Sequence, residues 1–147
     1  MLEKTGNSDA DALSFDDREA LYIASLYGGL AISVTGTAFP HALGYFLSEQ
    51  YGIPHGNACA VYLEDFIACN VATAPEEAKT LLDPLGISAD GLIALVRKNL
   101  PAISITLSRD EIAALAPRYE NNKSLNKCLG NVGREFAVSL LEKLFSN

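Results

Sequence analysis

The stretch TGTAFPHALGYFLSEQYGIPHGNACAV, Thr35 to Val61, holds both histidines of the chain, His41 and His55, and four of its 11 glycines. Its one charged residue is Glu49, in a sequence that is 20% charged. On a single unbroken helix the fourteen residues from His41 to His55 would span about 21 Å. Two imidazoles that far apart cannot share a metal, because each metal–nitrogen bond is only about 2 Å long. The stretch itself provides a reversal. Gly52 is placed to end a helix in the left-handed conformation, and Pro54 cannot continue it. Residues 41–50 as helix advance about 13–15 Å, and Tyr51 to Pro54, if extended, retrace a similar distance at roughly 3.3–3.6 Å each. His55 then opens the next helix beside Gly56, where the absent side chain lets a ligand approach the backbone. Shared ligation by His41 and His55 is feasible. So is a plainer reading, in which each imidazole hydrogen-bonds a backbone carbonyl. No HExxH or comparable short motif decides between them.

Helix signals surround this stretch and strand signals are scarce. Ser14-Phe15-Asp16-Asp17, Thr73-Ala74-Pro75-Glu76 and Ser108-Arg109-Asp110-Glu111 each set a hydroxyl before an acid three residues on, the pattern of a capping box. Ser88 begins another helix. Helices are predicted over 16–34, 37–50, 55–69, 75–83, 88–99, 108–117 and 132–145. The first is apolar on nearly every side (Leu21, Ile23, Leu26, Leu30, Ile32), which predicts a helix surrounded by others. The last has one apolar face: Phe136, Leu140, Leu141, Leu144 and Phe145. Only Ile103 to Leu107 alternates like a strand, too short to form a sheet alone. The fold class expected is all-α, a multi-helix bundle. Residues 1–14 are expected to be a flexible lead-in and 15–147 one helical domain.

The chain has 147 residues, 49% of them hydrophobic, and a net charge of −7. A single core is affordable at that length. The acidic balance speaks against non-specific nucleic-acid binding and against a basic membrane-surface helix. Three cysteines without a CxxC, Cys59, Cys69 and Cys128, fit a reducing cytoplasm. Cys59 and Cys69 sit among Ala, Val, Leu and Ile and read as small buried hydrophobes, not as a zinc cluster. No signal peptide or membrane span is expected. Glu64-Asp65 reads as a solvated helix face. Tyr45, Phe46, Tyr51 and Tyr62 either pack the core or wall a pocket.

The run TGTAFPHALGYFLSEQYGIPHGNACAVYLEDF resembles the signature of the iron-containing alcohol dehydrogenase family, H-x-x-x-H-x-L-G followed after a variable gap by P-H-G-x-x-x-A. His41-Ala42-Leu43-Gly44 matches the second histidine with its L-G, and Pro54-His55-Gly56 matches the P-H-G. REALYIASLYGGLAIS upstream is similar to the helix before the signature, and the segment from LLDPLGIS to LLEKLF to the closing helices. The resemblance implies the helical C-terminal domain of a two-domain enzyme that interconverts alcohols and aldehydes by hydride transfer. In that family an α/β domain binds NAD(P), and an Asp and three His hold a divalent metal, usually iron and sometimes zinc.

Carried over residue by residue, the resemblance makes His55 a metal ligand and sets His41 close to nicotinamide and substrate. The first histidine of the pattern, a ligand, falls at Thr37, whose hydroxyl is a poor ligand for such a metal. Either His41 takes over ligation or the site is weakened. His41 and His55 are therefore the candidate metal ligands, and His41 also the candidate catalytic residue. The family's Asp-x-x-x-His and its glycine-rich nucleotide domain are not found in the sequence. The expectation is a C-terminal part of an NAD(P)-dependent alcohol dehydrogenase, inactive alone and cytoplasmic. Its partners would be a small alcohol or aldehyde, a nucleotide-binding domain and further copies of itself. Two alternatives stand beside it: a non-catalytic helical interaction module derived from the family, and a relative of glycerol dehydrogenase or dehydroquinate synthase, which HGNACAVYL fits less well.

Overall fold

Ser14, Ser88 and Ser108 each begin a helix in the computed structural model, which describes residues 10–130 and 132–146. Each serine hydroxyl accepts from a backbone N–H three residues on, of Asp17, Gly91 and Glu111. At Ser108 the box closes, since the Glu111 carboxylate accepts the Ser108 N–H at 2.8 Å. Thr73 does not act as a cap. It is the last residue of a helix, and Ala74 joins that helix to the next with no side-chain cap hydrogen bond. Pro75 explains the omission, because it has no N–H to satisfy at the first helical position.

The helices are α1 (Phe15–Thr35), α2 (Phe39–Tyr51), α3 (His55–Ala60), α4 (Leu63–Thr73), α5 (Pro75–Leu82), α6 (Ala89–Asn99), α7 (Arg109–Leu115) and α8 (Arg134–Phe145). Short 3₁₀ turns lie at Ala10–Ala12, Asp83–Leu85, Ala116–Tyr119 and Leu125–Lys127. The fold is all-α, and no strand occurs among the described residues. Ile103 to Leu107 yields one isolated bridge, Leu107 to Ser146, with the Leu107 N–H donating to Phe145 O at 2.8 Å. The lead-in falls mostly on residues outside the described ones.

The core forms where α2, α4, α7 and α8 meet. Phe39, Leu43, Phe46 and Leu47 of α2 are buried with Ile112 and Leu115 of α7 and with Leu140, Leu141 and Phe145 of α8. Edge-to-face ring contacts join them: Phe39 with Phe66 and Phe136, and Phe46 with Phe145. The helix expected over 55–69 is broken at Val61-Tyr62, and the break seats the fully buried Tyr62 against Phe145. Glu64 and Asp65 are not a merely solvated pair. Arg97 of α6 grips Glu64, with its Nε 2.7 Å from Oε2, and Lys143 of α8 reaches Asp65 at 2.5 Å. Both ion pairs staple α4 to its neighbours at an exposed edge, where such pairs contribute little.

Helix α1 departs most from expectation. None of its residues is buried, and Tyr22, Leu26, Tyr27, Leu30 and Val34 are all exposed. It turns through 112° into α2 and is tied at its C-terminal end, where Lys127 Nζ donates to Thr35 O at 3.2 Å. Its apolar sides find no cover among the described residues. No single described helix is long and apolar enough to cross a membrane.

Burial pushes the Tyr62 hydroxyl far above its ordinary value and that of Tyr119 up to about 12. Tyr119 Oη is buried without a hydrogen-bond partner among the described residues. In the unfolded chain both ionise near 10.0. Above that pH the unfolded state therefore sheds protons that the folded state keeps, and stability falls as pH rises. Urea midpoints are expected to drop between pH 10 and 12, with a shallower drop over that range in Tyr119→Phe. An equal drop in the variant would contradict this.

Candidate metal centre

The reversal between the histidines forms as the residues require. Gly52 has φ +65°, and its N–H donates to Leu47 O while the Ile53 N–H donates to the same oxygen at 3.2 Å. That closes α2 in a left-handed cap suited to glycine. Pro54 then precedes α3. The two helices come into close contact at one point. A Cβ built on Gly44 would lie 2.9 Å from Ala58 O and 3.1 Å from Cys59 N. Only a residue without a side chain allows α2 and α3 to touch there.

That contact sets the histidines. His41 lies three residues before Gly44, and His55 three before Ala58. Their ring centroids are 4.9 Å apart, nearly edge to face. Tyr45, one turn after His41, lays its ring beside His55 at 5.4 Å between centroids and is itself exposed. Phe46 and Tyr62 are core residues. Of the four aromatics considered as pocket walls, Tyr45 is the one in contact with both imidazoles.

A third donor joins them. One donor atom each from His41, His55 and Cys59 lies within 4.8 Å of the other two. Cys59 Sγ is 3.7 Å from His55 Nε2. Cys59 is half-buried, not a sealed core residue, so its reading as a small hydrophobe gives way to membership of this cluster. The signal was its spacing: residue i+4 from His55 on one helix shares a face with it. Burial, and then the neighbouring His55, holds His41 below its ordinary value, while burial pushes the Cys59 thiol up. A neutral His41 keeps a lone pair on its ring. The donor set fits a divalent metal of borderline softness, bound by imidazole nitrogen and sulfur. Thr37, at the pattern's first ligand position, has its hydroxyl 3.0 Å from Ser124 Oγ.

A model of the Fe-containing alcohol dehydrogenase family, C-terminal, matches residues 2–108. The chain belongs to that family. It is 33% identical over 75 residues to a 1,3-propanediol dehydrogenase of Citrobacter freundii, covering 51% of this chain and 19% of that one. It is 32% identical over 94 residues to a 1,3-propanediol dehydrogenase of Klebsiella pneumoniae, covering 63% and 24%. The matched stretches thus span about a fifth to a quarter of the length of these curated relatives. Its fold matches the crystal structure of sulfoacetaldehyde reductase from Bifidobacterium kashiwanohense in complex with NAD+, with a TM-score of 0.77 at 21% identity, over 88% of this chain and 36% of that one.

Gly44→Ala is expected to destabilise by about 1–3 kcal/mol, because backbone, not a flexible side chain, stands in the way. Gly56→Ala, where a Cβ meets nothing within 4 Å, is expected to be neutral or mildly stabilising. Urea denaturation of the two variants checks the contrast. Equal effects would contradict the close approach of α2 and α3.

Proposed function

We propose that this chain is the metal- and substrate-side helical part of an NAD(P)-dependent, metal-dependent alcohol dehydrogenase, acting on small alcohols or aldehydes in the cytoplasm. The carrying observation is the juxtaposition of His41 and His55 on two reversing helices of a chain from this family. His41 and His55 are the ligands proposed for the metal, and the relatives' names favour a small hydroxylated alcohol as substrate. Iron is the family's usual metal, and zinc suits the same donors.

A divalent metal here would lower the cost of taking the alcohol's proton and so prepare hydride transfer to the nicotinamide. The chain's own residues do the rest. His41, kept neutral by burial and by His55, offers one ring nitrogen for ligation, and the other can orient a substrate hydroxyl. Tyr45 lays its ring along one side of His55. The dinucleotide belongs to an α/β domain outside these helices. The bare apolar sides of α1 suit contact with further protein, either the rest of the enzyme or another copy.

Two measurements on the purified chain test this reading. Incubated with metal, NAD+ or NADP+ and short alcohols, the chain alone is expected to give no turnover, and calorimetry should show no dinucleotide binding. Binding of zinc or iron(II) is expected, and His55→Ala should weaken it by roughly tenfold or more. Robust turnover by the chain alone would overturn the division of labour. Metal binding untouched in both His41→Ala and His55→Ala would overturn the ligand assignment.

One observation favours a second reading, a helical module without catalysis. Thr37 stands where the family's pattern has a ligand and is engaged by Ser124. That reading expects no metal binding at all, and both histidine variants to be as stable as the parent.

A further inference from the structure

Cys59 follows His55 by one helical turn, with 3.7 Å between Sγ and Nε2. Sulfur and nitrogen donors on a tetrahedral zinc, at about 2.3 Å and 2.0–2.1 Å from the metal, stand about 3.6 Å from each other. The Cys59–His55 pair already has that separation. His41 approaches from the other helix, and the largest spacing in the group, up to 4.8 Å, closes to ligand distance with a side-chain shift of about 1 Å. The donors therefore converge from α2 and α3 instead of lining one surface. His55 is exposed, so an ion can reach the group from solvent. Three protein donors with a fourth position open is the count typical of catalytic zinc. A thiolate among them favours zinc over ions that prefer oxygen donors.

Resting on the metal-site reading above, we infer that Cys59 is the third ligand, and that His41, His55 and Cys59 bind zinc within this chain without a donor from elsewhere in the enzyme. As the sulfur–metal bond forms, the Cys59 S–H bond breaks and its proton leaves to solvent. No oxidation state changes. The thiolate supplies the negative charge that an aspartate supplies in the family's usual set. It also makes the site of this chain softer than the all-nitrogen-and-oxygen set implied by the resemblance.

Cobalt(II) tests this, because it occupies zinc sites and reports its ligands by colour. The full 147-residue chain, kept reduced with a phosphine, is titrated with cobalt(II) and followed by absorption. Visible bands of four-coordinate cobalt are expected, with a near-ultraviolet sulfur-to-cobalt charge-transfer band, both saturating at one ion per chain and both bleached by zinc. Cys59→Ser should lose the charge-transfer band and bind cobalt roughly tenfold or more weakly. Cys59→His should recover the visible bands without the charge-transfer band. Cys69→Ser and Cys128→Ser should match the parent, and circular dichroism checks that each variant is folded. Visible bands without charge transfer, and equal affinity in Cys59→Ser, would overturn the role of Cys59 while leaving the histidine site standing. Absence of cobalt binding, or binding indifferent to His41→Ala and His55→Ala, would overturn both.

Discussion

The contact between Gly44 and the Ala58 carbonyl is the constraint on which the site depends. Two helices of a soluble protein usually pack about 8–10 Å apart, held off by their side chains. Here one lacks a side chain where the other presents backbone, and a Cβ on Gly44 would come within 2.9 Å of Ala58 O. Both histidines sit one turn toward the N-terminus from that point. Gly52 to Pro54 turns the chain between the two helices, and the two rings end with centroids 4.9 Å apart. The imidazoles meet edge to face beside the point where the backbones touch.

Some of this was legible in the sequence. The reversal depends on local chemistry, a left-handed cap at Gly52 and a proline two residues later, and local chemistry is what a sequence displays. The buried face of α8 was equally plain from its spacing, and Leu140, Leu141 and Phe145 are all buried. Other features were hidden because they depend on partners distant in sequence. Gly44 is matched by a short motif, yet nothing in its neighbours tells that Ala58 O would lie against it. Cys59 was misplaced because apolar neighbours suggest burial, whereas its i+4 relation to His55 decides where its sulfur goes. Glu64 and Asp65 gained partners on α6 and α8 that only the tertiary fold could supply.

The reading of α1 failed for a different reason. Hydropathy shows what a helix has to cover, not what covers it. A helix apolar on nearly every side was expected inside the bundle, and in this chain Leu26, Leu30 and Val34 face outward. The matched stretches cover only 19% and 24% of two relatives, which are well over twice the length of this chain. The bare helix and the family membership thus fit one physical picture, in which α1 packs against protein other than the helices described. The core around Phe39, Phe46 and Phe145 is independent of that surface.

Nuclear magnetic resonance of the imidazole protons tests the central claim most directly. The chain has only two histidines, so histidine-selective labelling gives two ring spin systems. With centroids 4.9 Å apart, the rings of His41 and His55 should show nuclear Overhauser cross-peaks to each other, and each should show one to Tyr45. Both sets should be present without added metal, because helix packing, not an ion, brings the rings together. Folded protein with sharp imidazole signals and no cross-peak between them would contradict the account.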